Sequence, residues 1–137
     1  MGLRHKQIGE VAERTGLSLR TIRYYEEVGL IAPSTRTHGG FRLYSESDIA
    51  RLLLVRRMKP LDFSLDEMRD LLQVLDGLED GSVEAEEREL LLGRLDMFRL
   101  AAEERCTSLR AQMEVAEEFV GSLRSELHQQ RGAGQHR

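Results

Sequence analysis

The chain has 137 residues, of which 32% are charged and 5% aromatic, and its formal net charge is −4. This composition favours a helical protein with one modest core and an extension, and it argues against a large β core. A single cysteine, Cys106, excludes a disulfide framework and a cysteine-pair metal site within one chain. The first residues lack the apolar core of a signal peptide, and no apolar run reaches a membrane-spanning length. We therefore expect a cytoplasmic protein with no membrane partner.

The charge is unevenly distributed along the chain. Residues 1–59 contain eleven Lys/Arg and six Asp/Glu, a net of +5, whereas residues 60–137 contain nine and eighteen, a net of −9. A basic front and an acidic back are typical of a nucleic-acid-binding face joined to a solvated assembly segment. Most of the acidic excess also has a simpler explanation, because acidic side chains keep exposed helices in solution.

Two short helices are predicted first. Apolar residues at helical spacing predict a helix over residues 8–15 that ends at Gly16. Ser18 is a good N-cap for a second helix over residues 19–28, which Gly29 ends. The residues expected on the inner face of this second helix are Leu19, Ile22 and Val28. Those expected on its outer face are Arg20, Thr21, Arg23, Tyr24 and Tyr25.

A small β-ribbon, or wing, is predicted next. The apolar pieces at residues 30–31 and 41–44 flank a turn-rich loop whose tip is His38, Gly39 and Gly40. Arginine side chains donate hydrogen bonds to guanine edges and phosphates, and tyrosine hydroxyls bind the DNA backbone. A helix with two arginines and two tyrosines on its outer face, followed by a basic wing, therefore predicts entry into a DNA groove. Any two-helix hairpin would give the same apolar pattern, so the basic face and the wing carry this interpretation.

Two further helices carry cap signals at their starts. The cluster at residues 45–48 opens a helix to about Lys59, where Pro60 forces either the end of the helix or a kink. The capping box at residues 64–67 opens another helix over residues 65–75. The residues expected to face inward are Ile49, Leu52, Leu53, Met58, Leu65, Met68, Leu71, Leu72 and Leu75.

The rest of the chain is predicted to be one long helix. We divide the chain into a head over residues 1–76, a linker over 77–82, a helix over 83–128 and a disordered tail over 129–137. The helix contains no proline and would extend about 69 Å. Apolar residues at steps of three and four, with one stutter at Ala102–Cys106, predict a coiled-coil dimerisation seam. The seam residues are Leu91, Leu95, Phe98, Ala102, Cys106, Leu109, Met113, Ala116, Val120, Leu123 and Leu127.

The head is too small to bury so long a stripe, so we expect a second chain to cover it. A helical hairpin within one chain would use the same stripe, but no turn signal lies between Gly93 and Gly121. Cys106 lies on the seam and is interpreted as a small apolar filler. A thiol switch across a two-fold axis remains the alternative for it.

Three segments carry a family resemblance: residues 21–26 (TIRYYE), residues 29–30 (GL) and residues 40–44 (GFRLY). Together with their surroundings they resemble the N-terminal region of the MerR family of transcription regulators. The resemblance implies a mostly α fold, with a winged helix-turn-helix head followed by a long coiled-coil dimerisation helix. The chain departs from the family pattern at Pro60, where most relatives continue the helix, and at Asp62, which replaces the usual glycine.

The resemblance also implies which residues bind DNA. They are Ser18, Arg20, Thr21, Arg23, Tyr24 and Tyr25 on the recognition helix, His38, Gly39, Gly40, Arg42 and Tyr44 in the wing, and Lys59. One of the two helix tyrosines is expected to be chiefly structural, with Tyr24 a candidate for the core. Arg23 has an alternative partner in Glu26 or Glu27, three and four residues on.

The function implied by the resemblance is sequence-specific transcription regulation. An antiparallel homodimer would bind an inverted-repeat promoter site, distort the spacer between the polymerase-recognition elements, and have RNA polymerase as a further partner. The alternative is an adaptor or architectural protein that acts through the acidic coil with weak, non-specific DNA binding. An enzyme is not expected, because the sequence lacks a Gly-rich phosphate loop, a His/Glu metal motif and a nucleophile–base pair. No cofactor or metal is predicted.

Overall fold

The computed structural model describes residues 6–32, 35–36 and 42–135. The chain forms two units, Met1–Asp96 and Met97–Arg137, and each is described separately. Among the described residues, no helix is both long enough and apolar enough to cross a membrane.

The first unit begins with the predicted helix-turn-helix. Helix α1, Ile8–Thr15, ends at Gly16, whose φ of 73° lies in the left-handed region that glycine adopts without strain. Helix α2, Leu19–Glu27, begins after Ser18, whose hydroxyl oxygen accepts a hydrogen bond from the Thr21 backbone N–H at 3.1 Å. Both helices and the Ser18 cap are therefore confirmed.

The inner face of α2 differs from the prediction. Ile22 is fully buried, and the buried residue one turn later is Tyr25, which is only 3% exposed. Residues three apart lie on one helix face, so Tyr25 shares the face of Ile22. The prediction that placed Tyr25 on the outer face is wrong. The prediction is also wrong for Leu19, which is 41% exposed, and Val28 is half-buried.

The wing sheet has three antiparallel strands in the order β1-β3-β2. Strand β1 is Lys6–Gln7, β2 is Thr35–Arg36 and β3 is Arg42–Tyr44. Strand β1 was not expected from the sequence, because two residues carry no alternating pattern. The predicted wing tip, His38, Gly39 and Gly40, lies outside the described residues.

The segment Leu30–Ile31 is buried but is not a strand, so that part of the wing prediction is wrong. The backbone N–H groups of Leu30 and Ile31 donate to the Tyr25 carbonyl oxygen at 2.9 and 3.4 Å. The two residues therefore cap the end of α2 instead of joining the sheet, and Gly29, with a φ of 78°, makes the reversal possible.

Helices α3, Glu46–Met58, and α4, Leu65–Glu79, both begin with complete capping boxes. The box of α4 is confirmed, whereas for α3 the sequence predicted only a cluster of capping residues. The boxes pair Ser45 with Asp48 and Ser64 with Glu67. Most of the predicted inward residues are buried, but Leu53, Leu65 and Leu75 are only half-buried. Two buried valines were missed: Val55 and Val74.

The connection between α3 and α4 follows from Pro60 and Asp62. A 3₁₀ turn, Lys59–Leu61, replaces the helix at the proline, which cannot donate a backbone hydrogen bond. Asp62 then has a φ of 64°. This is the left-handed region, which glycine adopts at a lower cost than aspartate.

The predicted linker is shorter than expected, because α4 continues to Glu79 and residues 77–79 are helical. Helix α5, Ala85–Gln135, is continuous. Residues 129–135 are therefore helical, and the prediction that they are disordered is wrong. In the second unit, every side chain from residue 107 to residue 131 is exposed.

Candidate nucleic-acid interface

The solvent face of α2 presents most of the predicted recognition residues. Ser18, Arg20, Arg23 and Tyr24 are exposed, and Thr21 is half-buried. Residues 20, 23, 24 and 27 follow the spacing of one helix face. Ser18 also donates from its hydroxyl to the Thr21 hydroxyl oxygen at 2.9 Å, which holds the first turn of the helix.

The two arginines of this face are free to bind a ligand. Within the described part of the chain, Arg20 and Arg23 form no hydrogen bond or ion pair, so the alternative pairing of Arg23 with Glu26 or Glu27 is wrong. An arginine with five unused donors can bind guanine edges or phosphates without breaking an internal contact.

The two tyrosines of α2 have different environments. Tyr24 is 46% exposed, and Tyr25 is buried, with ring centroids 5.9 Å apart and the ring planes tilted by 48°. Burial raises the pKa of the Tyr25 hydroxyl, and the neighbouring Tyr24 raises it further. Tyr25 is therefore the structural tyrosine, and the candidate named from the sequence, Tyr24, is the one left available to DNA.

Tyr44 lies in the core rather than on the wing surface. It has no exposed area, and its hydroxyl donates to the Glu26 carboxylate at 2.5 Å. A side chain with no exposed surface cannot hold a phosphate, so the prediction of that role for Tyr44 is wrong. The hydrogen bond instead joins strand β3 to α2 and fixes the wing against the recognition helix. The backbone of β3 pairs Arg42 with Arg36, which places two basic residues at one level of the wing.

The C-terminal end of α3 adds a second basic cluster. Arg56, Arg57 and Lys59 are all exposed. The guanidinium carbon of Arg56 lies 3.4 Å from the position that a Cβ of Gly16 would occupy, so this side chain covers the turn between α1 and α2. The sequence marked the whole segment as basic, but only the fold places Arg56 beside the recognition turn.

An exposed ion pair joins α1 to α3. Arg14 donates to both carboxylate oxygens of Glu46, at 2.6 and 2.8 Å. The hydrogen bond from Arg14 lowers the pKa of Glu46, and the same bond raises the pKa of Arg14. This bidentate geometry fixes the first helix relative to the helix that carries the basic cluster.

In the second unit, the predicted seam of α5 is half-buried at Phe98, Ala102 and Cys106 and exposed from Leu109 onward. Leu109, Met113, Val120, Leu123 and Leu127 are 43–61% exposed. Further apolar residues of α5 are at least as exposed, although the seam prediction left them out: Leu90, Met97, Val115 and Phe119. Cys106 is half-buried and unpaired in the chain. Among the described residues, no group of three or more His, Cys, Asp or Glu side chains is placed to hold a metal ion.

Comparison with known proteins identifies the family. The family model described as "MerR HTH family regulatory protein" matches residues 7–75, half of the chain. The chain belongs to the MerR family of transcription regulators. A second MerR model, described as "MerR, DNA binding", matches residues 49–125. The family is one of regulators and not of enzymes.

Several MerR relatives are similar over large parts of the chain. Nodulation protein NolA of Bradyrhizobium elkanii is 36% identical over 115 residues, which are 83% of this chain and 52% of that protein. The mercuric resistance operon regulatory protein of Bacillus cereus is 46% identical over 70 residues, 51% of this chain and 53% of its own. The chain thus spans about half the length of the curated relatives it matches. A solved MerR family transcriptional regulator from Listeria monocytogenes is 28% identical, with a TM-score of 0.62 over 84% of this chain and 83% of that one.

Two contacts that hold the recognition helix were missed by sequence reasoning. The Tyr44–Glu26 bond spans 18 residues, and the bond from the Arg69 guanidinium to the Val28 carbonyl oxygen spans 41. One feature of the sequence could have indicated the contact between Arg69 and Val28. Helix α2 ends in Glu26-Glu27 with no basic residue in its last turn, although a helix C-terminus favours a cation.

Proposed function

We propose that the protein is a sequence-specific transcription regulator that binds double-stranded promoter DNA as a homodimer. One observation carries the proposal: Arg20 and Arg23 are exposed on the second helix of a helix-turn-helix, in a chain of the MerR family, and neither is paired with another described residue. In this motif the second helix enters the major groove and reads base edges with its exposed side chains.

Residues around the recognition helix supply sequence-independent affinity. Arg42 in the wing and Lys59 at the end of α3 bind phosphates, and Arg56 adds a third cation beside the turn. Thr21 and Tyr24 complete the helix face. Because each such contact releases a counterion, the binding constant falls steeply as salt concentration rises.

The two heads are joined by α5. An apolar stripe with side chains 43–61% exposed is unfavourable in water, and an antiparallel second copy buries it. The dimer then presents two recognition helices at a fixed separation, which fits an inverted repeat. The relative named as a mercuric resistance operon regulator supports a role in controlling transcription.

The regulatory step is a distortion of the promoter. The dimer binds between the two polymerase-recognition elements, and it changes their relative phase so that RNA polymerase engages both. Such distortion makes affinity depend on base pairs that the protein does not touch. Because its target is promoter DNA, the protein works in the cytoplasm and is associated with the nucleoid.

Selection of bound fragments from genomic DNA tests this proposal. The expected product is a set of fragments that share an inverted repeat, with half-sites about one helical turn or a multiple of it apart. Recovery of random fragments by a dimeric protein would contradict the proposal and favour an adaptor or architectural protein with non-specific DNA binding.

Single-residue variants then assign the contacts. Arg20→Ala and Arg23→Ala are each expected to weaken operator binding by about tenfold or more, because a bidentate base contact contributes about 1–3 kcal/mol. Arg42→Ala should weaken operator and random duplex alike and reduce the salt dependence by about one counterion. Arg124→Ala, an arginine of α5 outside the predicted DNA-binding set, is the control. Unchanged gel-shift titrations for all three head variants would refute the assignment.

A further inference from the structure

The C-terminus of the recognition helix has an unusual electrostatic environment. The last residues of α2 are Glu26 and Glu27, and its last turn contains no basic residue. The end of a helix carries partial negative charge on its free carbonyl groups, so two carboxylates there are unfavourable. A cation from elsewhere in the fold would offset part of this unfavourable charge.

Arg69 of α4 supplies that cation. One guanidinium nitrogen donates to the Val28 carbonyl oxygen at 2.8 Å, and the other donates to the Asp66 carboxylate at 3.0 Å. Val28 is the C-cap residue of α2, so its carbonyl group is one that the helix itself leaves without a partner. The Asp66 bond, between residues three apart on one helix, fixes the direction of the guanidinium group.

Helix α4 is in turn held against the first turns of α5, within the same unit. A Cβ on Gly77 of α4 would lie 2.8 Å from a methyl carbon of Leu91, so the two helices approach closely at this glycine. Arg88 of α5 donates to the Leu78 carbonyl oxygen at 3.1 Å. Helix α4 therefore contacts the start of the dimerisation helix at one end and the recognition helix near the other.

We propose that Arg69 is a positioning residue that sets the orientation of the recognition helix relative to α4, and thereby controls how well the protein discriminates between DNA sequences. Arg69 itself makes no contact with DNA. It acts through the backbone of Val28, while Tyr44 holds the same end of the helix through Glu26. This inference rests on the proposed function, because discrimination is defined only for a protein that binds a preferred site.

Arg69→Gln distinguishes a positioning role from direct phosphate binding, because the two roles predict different losses of DNA affinity. A charged hydrogen bond that positions a reading helix should, when lost, weaken operator binding by about tenfold. Binding to random duplex and the dependence on salt should not change, because no phosphate contact is removed. If Arg69 instead bound a phosphate, operator and random-duplex binding would fall together and the salt slope would drop by about one.

The experiment measures the ratio of operator to random-duplex affinity across a salt series, with the operator taken from the genomic selection. Arg69→Lys keeps the cation and should recover part of the ratio. Asp70→Asn, at an exposed carboxylate beside Arg69 on α4, is the matched control and should leave the ratio unchanged. An unchanged ratio in Arg69→Gln, even with a lower melting temperature, would overturn the proposal.

Amide hydrogen exchange on the same variants needs no operator, so it separates this inference from the proposed function. The Gly29 and Leu30 amides donate to carbonyl groups of the last turn of α2. They should exchange about tenfold faster in Arg69→Gln, while the Asp48 amide in the α3 capping box keeps its rate. If exchange at Gly29 and Leu30 does not change, Arg69 does not position the helix, whether or not the wild type selects a DNA site.

Discussion

The exposure of each side chain separates the predicted DNA-binding residues into two groups. One group can reach a ligand, and the other stabilises the site. Arg20, Arg23 and Tyr24 are exposed, whereas Tyr25 and Tyr44 are buried. All three tyrosines occur in motifs that resemble the family, so the motif alone could not separate them. The burial of each side chain does separate them, because only an exposed tyrosine hydroxyl is available to bind DNA.

Removing the Tyr44 hydroxyl should destabilise the head. In Tyr44→Phe the carboxylate of Glu26 loses a donor at 2.5 Å, so we expect the free energy of unfolding to fall by about 1.5–3 kcal/mol. Tyr24→Phe, at an exposed tyrosine of the same helix, should change it by less than about 0.5 kcal/mol. Urea denaturation of both variants measures the difference. Equal effects would show that the Tyr44 hydroxyl is not a structural donor.

The Arg14–Glu46 pair predicts a pH dependence of stability. Its hydrogen bond lowers the pKa of Glu46 below the ordinary value of 4.5. A lowered pKa in the folded state means that the pair stabilises the protein above pH 4.5, and that this stabilisation is lost as pH falls through the lowered pKa. Glu46→Gln should therefore be less stable than the wild type near neutral pH, and the difference should shrink below pH 4.5. A difference independent of pH would contradict this, and Asp70→Asn provides a control at an exposed carboxylate.

At the level of helices and strands, the sequence predicted what local chemistry determines. Ser18, Ser45 and Ser64 each cap the helix that follows, and Gly16 and Pro60 each end one, as expected. The predictions were wrong where contacts between residues far apart in sequence determine the local structure. Strand β1 exists only because it pairs with β3, and Leu30–Ile31 caps α2 instead of forming a strand. The register of the sheet and the choice of cap depend on residues far apart in sequence, which no local pattern records.

The connection between α3 and α4 offers a stabilising substitution. Asp62 has a φ of 64°, a conformation that costs any residue with a Cβ more than it costs glycine. Asp62→Gly should raise the free energy of unfolding by about 0.5–1 kcal/mol. The converse change at Gly16, with a φ of 73°, should lower it by about 1 kcal/mol in Gly16→Ala. Thermal unfolding measures both, and a destabilised Asp62→Gly would mean that the aspartate side chain outweighs the backbone strain.

For the whole molecule, the proposed dimer depends on the apolar stripe of α5. The heptad pattern predicted the helix, but its end was placed seven residues too early because the polar residues after His128 were taken for a tail. The pattern also left out exposed apolar residues beside the seam, such as Val115 and Phe119. The sequence of one chain shows that the apolar stripe of α5 must be buried by another surface. The width of the buried face depends on the partner, so it could not be predicted from one chain.

A charge on the seam should separate the two chains. Leu123→Asp places a carboxylate where we propose that the partner helix packs, and an unpaired buried charge costs about 3 kcal/mol or more. We therefore expect the dimer dissociation constant to rise by about a hundredfold or more. Ser125→Asp puts the same charge two residues further on, on the opposite face of the helix, and should leave the dimer intact. Size-exclusion chromatography over a dilution series distinguishes the two variants, and equal behaviour would place the interface elsewhere.

The most direct test of the account is the mass of the wild-type protein at micromolar concentration by sedimentation equilibrium. The proposed homodimer predicts twice the 15.7 kDa of one chain. A mass of 15.7 kDa would contradict it, because one copy cannot hold two recognition helices at a fixed separation.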